Sequence, residues 1–192
     1  MELLAKDSLM LQNMIKETLV SVVGKERAES IFSTFMLDGG KLGELIRSIT
    51  DLLRKAGYVN ELNRFIEKLN DRFYEVIKVE VIPDKISLPK HLAEDVSVII
   101  ENGLDIPLVF TVTLEDKDNF LDIIYERREE VYTNSVRQEA IIDSGKEGRF
   151  KFKLFNARDY GMVLTTLFIL VRSREIEGLN MVKKIQIDVL AD

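Results

Sequence analysis

The spacing of the apolar residues changes near Lys78, and that change limits what this chain can fold into. Before it, apolar residues recur every three or four positions; after it, they alternate. One kind of element cannot serve both periods. The chain therefore reads as α+β in two parts, an N-terminal antiparallel helical bundle over residues 1–77 and a C-terminal antiparallel β-sandwich over 78–192.

In the first part, Leu11, Ile15, Leu19 and Val22 share one helical face, and Gly24 is placed to close that helix in a left-handed cap. Ala28, Ile31, Phe32 and Phe35 mark a second helix. The stretch ELIRSITDLLRK sets Leu45, Ile46, Ile49, Leu52 and Leu53 against Glu44, Arg47, Asp51 and Arg54 on the other side. Leu62, Phe65, Ile66, Leu69, Phe73 and Val76 define a fourth helix. Short links between such helices favour antiparallel neighbours. The apolar faces are generous for a bundle of this size. Two readings of the surplus stay open, a large monomer core or a homo-oligomer formed through the helices.

In the second part, KVEV alternates and is followed by VIPDKISLP, whose prolines suit an edge strand leaving its sheet. DVSVIIEN reads as a strand ending at ENGLD, and IPLVFTVTLED as the next. RFKFKLFN points Phe150, Phe152 and Leu154 one way and Arg149, Lys151 and Lys153 the other; KKIQIDVL repeats this with Ile185, Ile187 and Val189 inward. NFLDIIYERREEVYTNS reads as an edge strand followed by an exposed loop. GMVLTTLFILVRSR is almost continuously apolar, yet far too short to span a membrane, which takes about twenty residues. It reads as a central strand with Leu167, Ile169 and Val171 on one face and Leu164, Phe168 and Leu170 on the other. A two-layer sandwich covers only one of those faces. The second should be covered by the helical half or a second subunit; left exposed, it becomes a partner surface.

Three stretches carry a resemblance: SVIIENGLDIPLVFTVTL, IIDSGKEGRFKFKLFN and YGMVLTTLFILVRSR. Together they resemble the B and C strands, the turn into strand E, and the glycine-preceded F strand of immunoglobulin-like β-sandwich modules of the CARDB or fibronectin-III kind. The resemblance covers residues 78–190 and implies a binding or spacing module without catalysis. The tryptophan and cysteines of antibody domains are absent, and the helical half resembles no such module.

Composition removes several chemistries. With no cysteine, disulfides, thiolate metal sites and thiol nucleophiles are excluded. His91 is the single histidine, so no histidine pair exists; in LPKHLAED it reads as an exposed loop residue rather than a general base. Glu115, Asp116 and Asp118 could offer oxygens to a divalent cation, but Lys117 interrupts them and the spacing is not that of an EF-hand, so they read as solvated loop charge. Gly39, Gly40 and Gly43 follow a helix rather than a strand and read as an interhelical turn, not a phosphate loop. No catalytic, cofactor-binding or metal-binding residue is nominated. The acidic start of the chain has no secretory character, and the richness in Ile, Lys and Glu fits a thermophile.

The reading that results is a cytoplasmic, non-enzymatic protein–protein interaction or scaffold protein. Its helices would serve docking or oligomerisation, and its sandwich would bind a protein partner. The candidate contact residues are Leu164, Phe168 and Leu170 on one strand, and Arg149, Lys151 and Lys153 on another. The alternative is a nucleic-acid-associated regulator using the Arg149/Lys151/Lys153 row with Lys146 and Arg158 nearby. LIRSITDLLRKAGYV resembles the last helix of winged-helix DNA-binding domains, but a full helix follows where a β-wing belongs. The net charge of −6 argues against a polyanionic partner.

Overall fold

The computed structural model describes residues 8–37, 42–124, 134–156, 163–174, 176 and 179–190. Gly39, Gly40, Arg158, Gly161 and the segment 125–133 lie outside the described residues.

Four helices come first: α1 (Leu9–Val23), α2 (Lys25–Leu37), α3 (Leu42–Lys55) and α4 (Val59–Val76). Ser8 caps α1 by accepting the Leu11 N–H at 3.0 Å. Gly24 has a positive φ of 86° but a ψ of 161°, which is not the left-handed turn expected of it. The chain extends for that one residue and re-enters a helix, the Ala28 N–H bonding to the Gly24 carbonyl at 3.0 Å. Gly57, at φ 76°, lets the end of α3 close on itself, with the Tyr58 N–H reaching the Leu53 carbonyl at 2.9 Å. On α4 the buried residues are Leu62, Phe65, Leu69 and Phe73, one stripe along the helix.

Nine strands follow among the described residues: β1 (Ile77–Ile82), β2 (Lys85–Pro89), β3 (Ala93–Asn102), β4 (Leu108–Asp116), β5 (Asp122–Ile124), β6 (Ser135–Ile142), β7 (Glu147–Phe155), β8 (Val163–Ser173) and β9 (Asn180–Leu190). They form a four-stranded sheet of order β1-β3-β7-β5 and a five-stranded sheet of order β2-β9-β8-β4-β6. β5 is the edge strand expected from NFLDII. Every pair is antiparallel except β2 with β9, which runs parallel. That departure comes from the proline-flanked crossover: the chain leaves the first sheet at Ile82, turns through Pro83 and Asp84, and enters the second sheet beside β9, running in the same direction.

Alternation assigns the inner faces. Val96, Val98 and Ile100, then Phe150, Phe152 and Leu154, line one sheet; Phe110, Val112 and Leu114, then Leu167, Ile169 and Val171, line the other. These join the buried helical residues in one continuous core. The two parts meet at the β3–β4 loop. The Asp105 carboxylate accepts the Met10 N–H at 3.0 Å and the Ser8 hydroxyl, so a negative charge sits at the positive end of α1. The Gly103 N–H bonds to the Val76 carbonyl at 3.1 Å, at the point where α4 passes directly into β1.

Candidate interaction surface

The two predicted contact sets fall on different sheets. Arg149, Lys151 and Lys153 are exposed on the outer face of the four-stranded sheet, while Leu164, Phe168 and Leu170 lie on the outer face of the five-stranded one. The basic row is interrupted: Lys153 faces Asp95 across the β3–β7 ladder with Nζ 3.8 Å from Oδ1, and Arg149 lies opposite Ile99. The Lys151 carbonyl accepts the Gln138 side-chain amide at 2.6 Å, linking β7 to β6 of the other sheet.

On the five-stranded sheet, the register arranges the outward side chains in rows across β9, β8, β4 and β6. One row runs Lys184–Phe168–Glu115–Ser135, the next Val182–Leu170–Thr113–Arg137, and the next Asn180–Arg172–Thr111–Glu139. Phe168 is half-buried beneath two ammonium groups, Lys117 Nζ at 4.4 Å and Lys184 Nζ at 5.2 Å from its ring centre. Leu170 is also half-buried, whereas Leu164 is 59% exposed. The expectation that the helical half covers this strand fails at Leu164. The helices dock at the end of the stack: the Tyr74 hydroxyl of α4 accepts the Val182 N–H at 3.1 Å, where β2 no longer flanks β9.

The same face carries a cluster that the sequence reading missed. Thr111, Thr113, Arg137, Glu139, Arg172 and Arg174, with Ser173, line a concavity of about 440 Å³ at the β6 side of the sheet. Glu139 Oε1 accepts the Thr111 hydroxyl at 3.0 Å and the Arg137 guanidinium. The Arg137 bond, then the Thr111 bond and the charges of Arg137 and Arg174, hold the Glu139 carboxyl below the ordinary glutamate value. Arg174 is held over β4 by its N–H to the Val109 carbonyl at 3.0 Å. Among the described residues Arg172 reaches Asn180 Oδ1, at 3.4 Å. The sequence does hold a signal, since Arg137/Glu139 and Arg172/Arg174 are each spaced by two residues and so share a face. What it lacks is the fact that β6 and β8 both flank β4.

No protein-family model and no curated protein matches the sequence. Solved structures similar to it include the native E. coli alpha-2-macroglobulin, at 13% identity and a TM-score of 0.43, over 60% of this chain and 7% of that one. The ASH/PapD-like domain 7 of human CEP192 aligns at 10% identity and a TM-score of 0.37, over 60% of this chain and 85% of that one. The periplasmic chaperone SfaE aligns at 10% identity and a TM-score of 0.37, over 59% and 58%. This chain thus spans a small fraction of the first and little more than half of the last.

The remaining sequence candidates resolve individually. His91 is exposed, with a positive φ of 59° and its N–H on the Asn156 carbonyl at 2.8 Å. Asp116 is not solvated loop charge: it is fully buried and accepts the N–H groups of Asp118, Phe120 and Leu121 together with the Thr165 hydroxyl. A carboxylate so occupied shapes the turn into β5, and only Glu115, Lys117 and Asp118 face solvent. Among the described residues no cluster of acids or histidine is placed to hold a metal ion, and no helix is long and apolar enough to cross a membrane.

Proposed function

We propose that this protein is a non-enzymatic binding or scaffold module. Its four helices form an antiparallel bundle used for docking or self-association, and its sheets form an immunoglobulin-like β-sandwich whose five-stranded outer face receives a protein partner. One observation carries the reading: that face presents exposed Leu164 and Val182 beside half-buried Phe168 and Leu170 on one pair of strands. Apolar side chains on the solvent side of a sheet have no role in its own core, and such patches serve contact with another molecule. The groove between α3 and α4, lined by Ile46, Arg47, Ile66 and Leu69, supports the part given to the helices.

The test is a capture experiment with matched surface variants. Leu164→Asp with Leu170→Asp should abolish retention of the partner, while Lys151→Glu with Lys153→Glu should leave it intact. Retention lost only with the lysine variant, together with salt-sensitive binding to DNA or RNA, would instead support the nucleic-acid reading. Light scattering that shows a strict monomer at high concentration would remove self-association from the proposal.

A further inference from the structure

We infer that the corner formed by Arg137, Arg172 and Arg174 binds the carboxylate groups of an acidic segment in the protein partner. This rests on the reading of the five-stranded outer face as the docking surface, and it specifies what docks there. Three arginines line one concavity, Arg137 from β6, Arg172 from β8 and Arg174 just past its end, and among the described residues that line it Glu139 is the single carboxylate. Glu139 engages Arg137 through one oxygen, and among the described residues neither Arg172 nor Arg174 makes an ion pair with a carboxylate. The corner is therefore locally cationic on a chain whose net charge is −6, an arrangement that repels itself until an anion arrives.

The chemistry selects the anion. A guanidinium offers a planar fork of donors that matches a carboxylate two bonds at a time, and it keeps its charge at any physiological pH. Thr113 adds a hydroxyl in the same concavity. Apolar side chains adjoin it: Ile141 is 71% exposed in the row beyond Glu139, and Leu170 and Val182 continue the row of Thr113 and Arg137 across β8 and β9. An acidic side chain flanked by aliphatic ones fits this alternation of charge and apolar surface. A nucleic acid fits poorly, because its extended line of phosphates would meet the overall negative charge of the chain.

The experiment selects a displayed library of random short peptides on the full-length chain. Wild-type protein should enrich peptides carrying Asp or Glu next to Ile, Leu or Val. Synthetic copies should lose about tenfold or more in affinity on R172A/R174A, and a similar factor when their acids are changed to the amides. Circular dichroism checks that the variant keeps its fold, which substitution of exposed arginines should preserve. Enriched peptides without an acidic excess, or with unchanged affinity for R172A/R174A, overturn the inference; if Leu170→Asp still abolishes them, the docking face itself survives. Peptides indifferent to both variants overturn the face as well. A dimer of this chain that dissociates on R172E/R174E, with no peptide enriched, would assign the corner to a second copy and also overturn it.

Discussion

Asn102 illustrates how much of this fold is held by single buried polar residues. Its amide donates to the Ile106 and Ile142 carbonyls at 2.8 and 3.0 Å, and its side-chain oxygen accepts the Leu104 N–H at 3.2 Å. Two turns far apart in sequence are thereby fixed to one another. Asn102→Ala leaves buried backbone groups without partners, and urea denaturation should show a loss of about 2–4 kcal/mol. Asn102→Asp, which keeps the shape but loses both donors, should be no better. Glu139 is the exposed counterpart. Its carboxyl is held below the ordinary glutamate value of 4.5, so its small contribution to stability is present at neutral pH and lost as pH falls through its own folded-state value. In an NMR titration Glu139 should protonate below the ordinary glutamate value, and Arg137→Ala should return it toward that value.

Elements meet closely at two glycines, and the consequences differ. A Cβ on Gly103 would stand 2.3 Å from the Val76 carbonyl oxygen, a backbone atom fixed by the α4–β1 junction. Gly103→Ala should therefore destabilise by about 2–4 kcal/mol, read from the midpoint of chemical denaturation. A Cβ on Gly148 would meet the Ile142 Cδ1 at 2.5 Å and Cγ1 at 2.7 Å, side-chain rather than backbone atoms, so Gly148→Ala should cost less, about 1–3 kcal/mol, by forcing the buried Ile142 to repack. The same scale shows what the sequence disclosed. RFKFKLFN and KKIQIDVL stated their own facing because each strand has one dry side and one wet side. SVRQEAII did not declare itself as β6: it lies at a sheet edge, where Ser135, Arg137, Glu139 and Ile141 all face solvent and apolar alternation is weak. The arginine corner and the parallel β2–β9 pair were hidden for a different reason. Both depend on which strands become neighbours, and no local period encodes that. Asp116 reads as polar in sequence, and its burial follows only from the three amides that converge on it.

Across the whole molecule, the two periodicities mark two kinds of element that share one core. The α1 cap uses Asp105 of the β3–β4 loop, and α4 continues into β1 with no linker between them. The most protected amides of α4 and β8 should accordingly exchange with solvent at similar free energies in native-state hydrogen exchange. Ser8→Ala with Asp105→Ala, which removes a cap worth about 1–2 kcal/mol, should lower both together. Protection lost in the helices alone would show that they unfold by themselves.

The seamless passage from α4 to β1 also has a mechanical side. Among the described residues β1 is an edge strand whose one strand partner is β3, and its first rung pairs Ile77 with Asn102. Once the Gly103–Val76, Asp105–α1 and Tyr74–Val182 bonds have parted, a pull that lifts the helices away from the sheets reaches that rung before any other. The rungs then part in succession, as in a zipper, and the strength of one rung rather than the sum of all six residues sets the yield force. Any tension applied to the helices would then be felt in the sheets first as the peeling of β1, with the five-stranded sheet left whole.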